Sequence, residues 1–335
     1  MSRPTIKDVA DRAGVARSTV SRVLNNAPGA SPAVRARVHR VMAELDYVPD
    51  QTARALASGR QRAIDVVAYT GGQVGGWLGS HPYYSRVLAG IVPALAGTDV
   101  QIRVHAIAAP EDADAIAAHA TVGAVLTDVP AAIARRLRER CRRVVSLGAT
   151  SASVATIDAD NTGGAYAAVQ HLHRLGRTRI AAIHGPGTSA DARDRRAGYR
   201  AAMRDLGLPV FEDGGAFRRE DGWAAADRLL RQYPRIDGLF VACDLMAAGA
   251  VQAVTAGGRG VPGDVSVIGF DDSVAAVCTN PPLTTMRFPV EEMAAAAARL
   301  LLAGDVPAGH RRRFPVGLVT RASTAQRGQP GDGEQ

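Results

Sequence analysis

Two short stretches carry side chains whose types and spacing could do chemistry. The first is Arg17-Ser18-Thr19, with Arg22 about one helical turn further on. An arginine fork can pair bidentately with guanine, and Ser and Thr hydroxyls reach bases or phosphate. Such side chains at the start of one helix suit reading base edges in a major groove. The second is Gly185-Pro-Gly187-Thr-Ser-Ala190, which closes the apolar run RIAAIHG, with Glu212 downstream. It satisfies a dinucleotide-binding fingerprint, in which backbone N–H groups cradle phosphate. Pro186 and the mixed-charge run DARDRR make it a poor cradle. No G-x-S-x-G, H-E-x-x-H or G-K-S/T pattern occurs, so hydrolase and NTPase chemistry lack support.

These residues need elements to hold them. Ile6, Val9, Ala10 and Ala13 follow the spacing of one buried helical face. Thr5 and Asp8 form a capping box with Asp in place of Glu, and Gly14 ends the helix. A second helix over about Arg17 to Asn25 buries Val20, Val23 and Leu24, and Asn26 to Gly29 break it. Ser31 caps a third helix with Pro32 in its first turn, where a missing N–H costs nothing. Val34, Val38, Val41, Met42 and Leu45 make its inner face, and Pro49 closes the unit. Two short helices joined at Gly14, with a third across them, form a helix-turn-helix. The spacing alone equally fits a bundle whose arginines are merely solvated.

From Ile64 short apolar strands (64–70, 100–107, 123–127, 143–148, 179–185, 238–243 and 265–272) alternate with alanine-rich helices such as Ala165 to Leu175, Arg195 to Leu206 and Ala247 to Ala256. This is the βαβ rhythm of a parallel sheet with helices on both faces. A chain of 335 residues, 47% hydrophobic and 21% charged, can build two or three compact units. Residues 1–60 carry ten basic and five acidic side chains, a net +5 of the chain's +8, so an anionic partner meets the N-terminal end. Three dispersed cysteines argue against a disulfide framework or structural zinc and fit a reducing compartment. The opening MSRPTIKDVADRAG lacks the apolar core of a signal peptide, and no apolar run reaches membrane-spanning length, so a cytoplasmic protein is expected.

The strings TIKDVADRAGVARSTVSRVLNN, SPAVRARVHRVMAELDYVP and TARALASG resemble the headpiece of the lac repressor and purine repressor family (LacI/GalR). The resemblance implies that Arg17, Ser18 and Arg22 read bases. It implies that Thr5, Thr19, Ser21, Asn25 and Ser31 contact the DNA backbone. Asp50 to Ala57 matches a hinge helix that folds on the operator, with Ala53 and Leu56 on the DNA and Leu56 as the minor-groove wedge. Ala16 departs from the family's usual serine and removes a cap worth about 1 kcal/mol. Asp50 replaces the usual hinge asparagine and brings a negative charge near phosphate.

Residues 61 onward resemble the family's effector domain through HPYYSRVLAGI, IDADNTGGAYAAVQHLHRLGRTRIAAIHGP, DRRAGYRAAMRDLGL, GLFVACDLMAAGAVQAVTAGGRGVPGDVSVIGFDD and PPLTTMRFP. The implied fold is a two-lobed, periplasmic-binding-protein-like α/β sensor crossed three times by the chain, behind an all-α headpiece and hinge. Tyr69, Tyr83, Tyr84, Asp191, Arg195, Phe217, Asp244 and Asp271 are the implied effector-binding residues. Gly148 and Phe288 stand where relatives often present polar contacts. Asp271 could also be a turn after a strand and Arg195 a surface arginine, the effector role being preferred for both, whereas Tyr83 and Phe217 equally suit a lobe core.

The expected organisation is a headpiece over 1–48 and a hinge and linker over 49–60. An effector and dimerisation domain follows over 61–322, with lobes at about 61–159 plus 289–322 and at about 160–288. A disordered tail takes up 323–335. The expected function is a probable-repressor role: a dimer on a pseudo-palindromic operator, controlled by a small molecule, with no cofactor, metal or catalysis. Carboxylates at Asp244 and Asp271 favour hydroxyl donors, so a neutral sugar or polyol is preferred and a nucleobase or nucleoside ranks second. A periplasmic solute-binding protein shares the sensor fold, but the headpiece argues against it.

Overall fold

The computed structural model describes residues 4–24, 29–45, 47, 61–70 and 81–328. The expected hinge, with Asp50, Ala53 and Leu56, lies outside the described residues, as do Asn25 and residues 329–335. The chain divides into two compact units, Met1–Arg62 and Ala63–Gln335.

The first unit holds α1 (Ile6–Ala13), α2 (Arg17–Leu24) and α3 (Pro32–Glu44). Thr5 caps α1: its hydroxyl accepts from the Asp8 amide (3.3 Å), and the Asp8 carboxylate accepts from the Thr5 amide (2.7 Å). The backbone bond from Thr5 holds the Asp8 carboxyl below its ordinary pKa. Gly14 takes φ +63°, a left-handed turn that an L side chain rarely adopts. The Ser31 hydroxyl accepts from the Val34 amide (3.4 Å) at the start of α3. Val9, Ala10, Ala13, Val20, Val23, Val38, Val41 and Tyr47 form the small core. That core fixes which faces of α2 look outward.

The second unit has two six-stranded sheets. The first runs β11-β5-β4-β3-β1-β2, built from β1 (Ala63–Tyr69), β2 (Gln101–Ile107), β3 (Gly123–Thr127), β4 (Val144–Leu147), β5 (Ala155–Ala159) and β11 (Arg311–Phe314). Helices α4 (Pro82–Ala94), α5 (Pro110–His119), α6 (Ala131–Arg140) and α12 (Val290–Leu302) pack on it. The second runs β12-β10-β9-β8-β6-β7, from β6 (Ile180–His184), β7 (Phe211–Gly214), β8 (Gly238–Val241), β9 (Ser266–Asp271), β10 (Thr284–Arg287) and β12 (Gly317–Val319). Its helices are α7 (Asn161–Arg174), α8 (Ala190–Asp205), α9 (Arg219–Gln232), α10 (Asp244–Ala256) and the short α11 (Val274–Cys278).

All neighbouring strands are parallel except β10 and β12. β3, β4, β5, β6 and β8 are buried along their whole length, as strands covered on both faces must be. In each sheet the strand order reverses once, beside β1 and beside β6. Ligands of open parallel sheets bind outside the carboxyl ends at such points.

The chain crosses between lobes after β5, after β10 and after β11. The last crossing corrects the expected boundary, because β12 belongs to the second sheet, pairing Thr285 with Val319. The expected tail also starts too early. Ser323 is fully buried, donates to the Val267 carbonyl (2.6 Å) and accepts from the Thr284 amide (2.8 Å). Backbone groups at the starts of β9 and β10 need partners, and this segment supplies them.

Candidate functional site

On α2, Arg17, Ser18 and Arg22 are exposed, while Thr19 and Ser21 are half-buried beside the core valines. The Ala16 carbonyl accepts the first helical bond from Val20 (3.2 Å), so Ala16 stands at the cap position with no side-chain acceptor to offer. Two exposed polar side chains thus open a short helix, with Arg22 on its last turn, while the other face is spent on packing. Thr5 and Ser31 keep their hydroxyls on helix caps at the surface.

In the second unit the carboxyl ends of both sheets meet at a cleft of about 410 Å³, including open solvent at its mouth. Six of the eight expected residues line it: Tyr83, Tyr84, Asp191, Arg195, Phe217 and Asp271. So do five that sequence reasoning did not assign to the ligand: His81, Asp128, Ser189, Cys243 and Phe288. An adjoining recess of about 600 Å³, again including open solvent, shares Asp128, Ser189 and Asp191 with the cleft and reaches Ser146, Gly148 and Arg193.

Arg195, on the second turn of α8, is the most constrained group. Its Nε donates to Asn161 Oδ1 (2.8 Å) and its Nη1 to the Ala242 carbonyl (2.6 Å), with Asp271 Oδ1 further off at 3.5 Å. The guanidinium carbon lies 3.9 Å from the Phe270 ring centre and 4.9 Å from that of Phe288. A cation held against two aromatic faces and two neutral oxygens has a fixed direction. Among the described residues Nη2 has no protein partner, which leaves two donors for a ligand.

The carboxylates surround this cation. Asp128 follows β3 at φ +53° and accepts from Ser189 Oγ (3.2 Å), a bond that spans the two lobes. Asp191 sits in the first turn of α8 opposite Gly148. A Cβ on Gly148, whose φ is +87°, would fall 2.9 Å from Asp191 Oδ1. Burial lifts the Asp191 pKa to about 8 against the pull of Arg195, so at neutral pH it is an acid that can donate as well as accept. Burial also raises Asp128 and Asp271, and Arg195 offsets part of each rise.

Asp271 ends β9 at φ +124°, and Phe217 adopts φ +62°. Three non-glycine cleft residues in positive-φ conformations mark a site where ligand geometry outweighs backbone comfort. The aromatic lining comes from the start of α4, from Phe217 and from Phe288. His81 meets Tyr84 and Phe217 edge-on, at 6.3 and 6.2 Å between ring centres, and Tyr83 meets Tyr84 edge-on at 5.4 Å. Burial lowers the His81 pKa to about 4, so its ring is neutral.

Two expected residues do not line the cleft. Asp244 is fully buried behind it: its carboxylate accepts from the Ser273 amide (2.7 Å) and from Thr285 Oγ1 (2.5 Å). It braces the ends of β9 and β10 instead of facing a ligand. Tyr69, at the end of β1, packs against the core of the first lobe. The glycine fingerprint at 185–190 also has a packing cause, since a Cβ on Gly185 would lie 2.2 Å from the Phe217 ring. Among the described residues no group of three or more His, Cys, Asp or Glu side chains could hold a metal ion. Among them, too, no helix is long and apolar enough to cross a membrane.

Residues 5–50 match the family described as bacterial regulatory proteins, lacI family, and residues 169–324 match the periplasmic binding protein-like domain. The HTH-type transcriptional regulator CelR of Thermobifida fusca is 35% identical over 319 residues, covering 90% of this chain and 91% of the relative. A structure of a transcriptional regulator CelR–cellobiose complex superposes with a TM-score of 0.72 at 32% identity, over 96% of this chain and 100% of that one. The lac repressor dimer bound to operator and the anti-inducer ONPF gives a TM-score of 0.70 at 28% identity, over 97% and 100%.

Proposed function

The chain belongs to the lacI family of bacterial regulatory proteins, and from that premise we propose that its cleft binds a neutral sugar or polyol that sets operator affinity. It is a DNA-binding transcriptional regulator. We assign base reading to Arg17, Ser18 and Arg22, and backbone contacts to Thr5, Thr19, Ser21, Asn25 and Ser31, with Ala53 and Leu56 at the hinge. The working species is a homodimer in the cytoplasm, two copies of α2 reading half-sites about one helical turn apart. No catalytic step and no cofactor enter this account.

The observation that carries the sugar reading is the fixed Arg195 fork beside Asp191 and Asp271, walled by aromatic rings. Directed donors and nearby acceptors match a ring of hydroxyls, and the aromatic faces suit its C–H face. A single arginine flanked by Asp128 and Asp271 disfavours a sugar phosphate. A relative carrying cellobiose supports the same class.

The Ser189–Asp128 bond and the His81–Phe217 contact join the lobes across the cleft. A ligand inserted among them favours one lobe arrangement, and the coupling to DNA is typically about 1–3 kcal/mol and reciprocal. A thermal-shift screen of cellobiose, ribose, a polyol, a nucleoside and a sugar phosphate tests the class. Neutral sugars or polyols should raise the melting temperature. Stabilisation by the nucleoside or the phosphate alone would overturn the reading.

A further inference from the structure

We propose that Arg86, which does not line the cleft, is the positioning residue that holds the Asp271 and Phe288 walls in register with the first lobe. This rests on the reading of the cleft as the effector site. Arg86 lies on α4, one turn beyond Tyr83, with its side chain 17% exposed. Its Nε and Nη2 clasp the Glu291 carboxylate at 2.6 and 2.8 Å. Its Nη1 donates to the Asp271 carbonyl (2.8 Å), and Nη2 also donates to the Phe288 carbonyl (2.9 Å). One planar fork therefore ties the first turn of α12 to two backbone carbonyls, a task that a lysine point charge cannot reproduce.

Both carbonyls belong to residues whose side chains face the cleft. Asp271 carries φ +124° and the next residue, Asp272, φ +56°, so this turn needs an outside partner to keep its peptide orientation. The same carbonyls accept from backbone amides, Asp271 from Phe288 (3.3 Å) and Phe288 from Val290 (2.9 Å). Arg86 thus completes a small lattice linking the end of β9, the crossover after β10 and α12. α4 and α12 touch closely there, since a Cβ on Gly90 would lie 2.3 Å from the Glu291 carbonyl. Movement of Asp271 or Phe288 on a ligand is therefore passed to α4 and α12 as a unit. α4 also carries Tyr83 and Tyr84, so one helix meets the ligand directly and grips the opposite wall from behind.

The test is Arg86→Lys in the full chain, read first by amide hydrogen exchange without ligand. The amides of Phe288 and Val290 should exchange at least tenfold faster, while those of β3 keep the wild-type rate. The second readout is the ratio of operator affinities with and without cellobiose as probe, which should move towards one. Glu291→Gln, which weakens the clasp but leaves both carbonyl acceptors, should fall between wild type and Arg86→Lys. Unchanged exchange at Phe288 and Val290 would overturn the proposal, whatever cellobiose does. Uniformly faster exchange through both lobes would also overturn it, by showing a general packing role. A wild-type chain indifferent to cellobiose, with the local exchange change present in Arg86→Lys, would count against the sugar reading alone.

Discussion

Replacing Asp271 by Asn separates the needs of the ligand from those of the fold. The side chain is 15% exposed and its nearest cation, Arg195 Nη1, is 3.5 Å away, so this ion pair is long. Burial raises the Asp271 pKa, with Arg195 and Arg86 opposing, and its charge in turn helps burial raise the neighbouring Asp244. The folded state therefore holds this proton more tightly than the unfolded chain does. Below the ordinary carboxylate range both states are protonated and nothing is lost. As pH rises through that range and past the folded value, the penalty grows by about 1.4 kcal/mol for each unit of elevation. Asn cannot ionise and, like Asp, tolerates positive φ better than most residues do. Asp271→Asn should thus melt like wild type near pH 4 and above it at pH 8. A hydroxyl bonded to a charged acceptor is worth about 1.5–3 kcal/mol, of which a neutral amide oxygen keeps roughly half. The loss of about 0.75–1.5 kcal/mol corresponds to roughly 4–13-fold weaker sugar binding. Thermal melts at the two pH values and calorimetry with cellobiose read both effects. A variant that is less stable at pH 8 and binds the sugar normally would refute the reasoning.

Two further outcomes follow from other parts of the molecule. Arg17→Ala should cost about 1–3 kcal/mol at one operator position and relax base preference there, measured by competition among operator variants; equal weakening on every sequence would make Arg17 a phosphate contact. Burial pushes the Glu212 carboxyl up, but hydrogen bonds from Arg200 and Arg196, with His184 nearby, outweigh it and hold the pKa at about 2. Its contribution to stability is present above the ordinary glutamate value and lost as pH falls towards 2, so Glu212→Gln should flatten acid unfolding in that window.

The headpiece was legible because its signals are local. Thr5 with Asp8, Gly14, and Ser31 with Pro32 each act within one helical turn, and the valines repeat at helical spacing. Strands β1, β2, β3, β4, β6, β8 and β9 were legible for the same reason, being short apolar runs between helices. β5, β7 and β10 were not, since Ala-Thr-Ile-Asp-Ala, Phe-Glu-Asp-Gly and Thr-Thr-Met-Arg mix polar residues into short runs. Nor were β11 and β12: Arg-Arg-Arg-Phe and Gly-Leu-Val are edge strands with exposed faces, so no burial pattern marks them. In the cleft, Arg195, Asp191 and Asp271 were found through resemblance, whereas Asp128 and Ser189 were missed. Asp128 follows a strand beside the point where the sheet order reverses, a signal available only once the order of strands is known. Asp244 shows the converse error. It opens a helix at a strand end, as a ligand-binding acid would, and only the fold reveals that Ser273 and Thr285 consume its carboxylate. Positive φ at Asp128, Phe217 and Asp271 leaves no trace in composition, yet it marks the site in space.

The most direct test of the account is operator affinity measured against sugar concentration. DNA bound by the full chain is first selected from random fragments, and the enriched sequence is then titrated with protein by fluorescence anisotropy in the presence of cellobiose, ribose or a polyol. The account predicts a pseudo-palindromic site whose affinity changes about 5–150-fold with at least one neutral sugar or polyol, the usual range of allosteric coupling. It predicts that the same ligand acts at higher concentration on Asp271→Asn. An operator affinity that no neutral sugar or polyol moves, or that only a nucleoside or sugar phosphate moves, would contradict it.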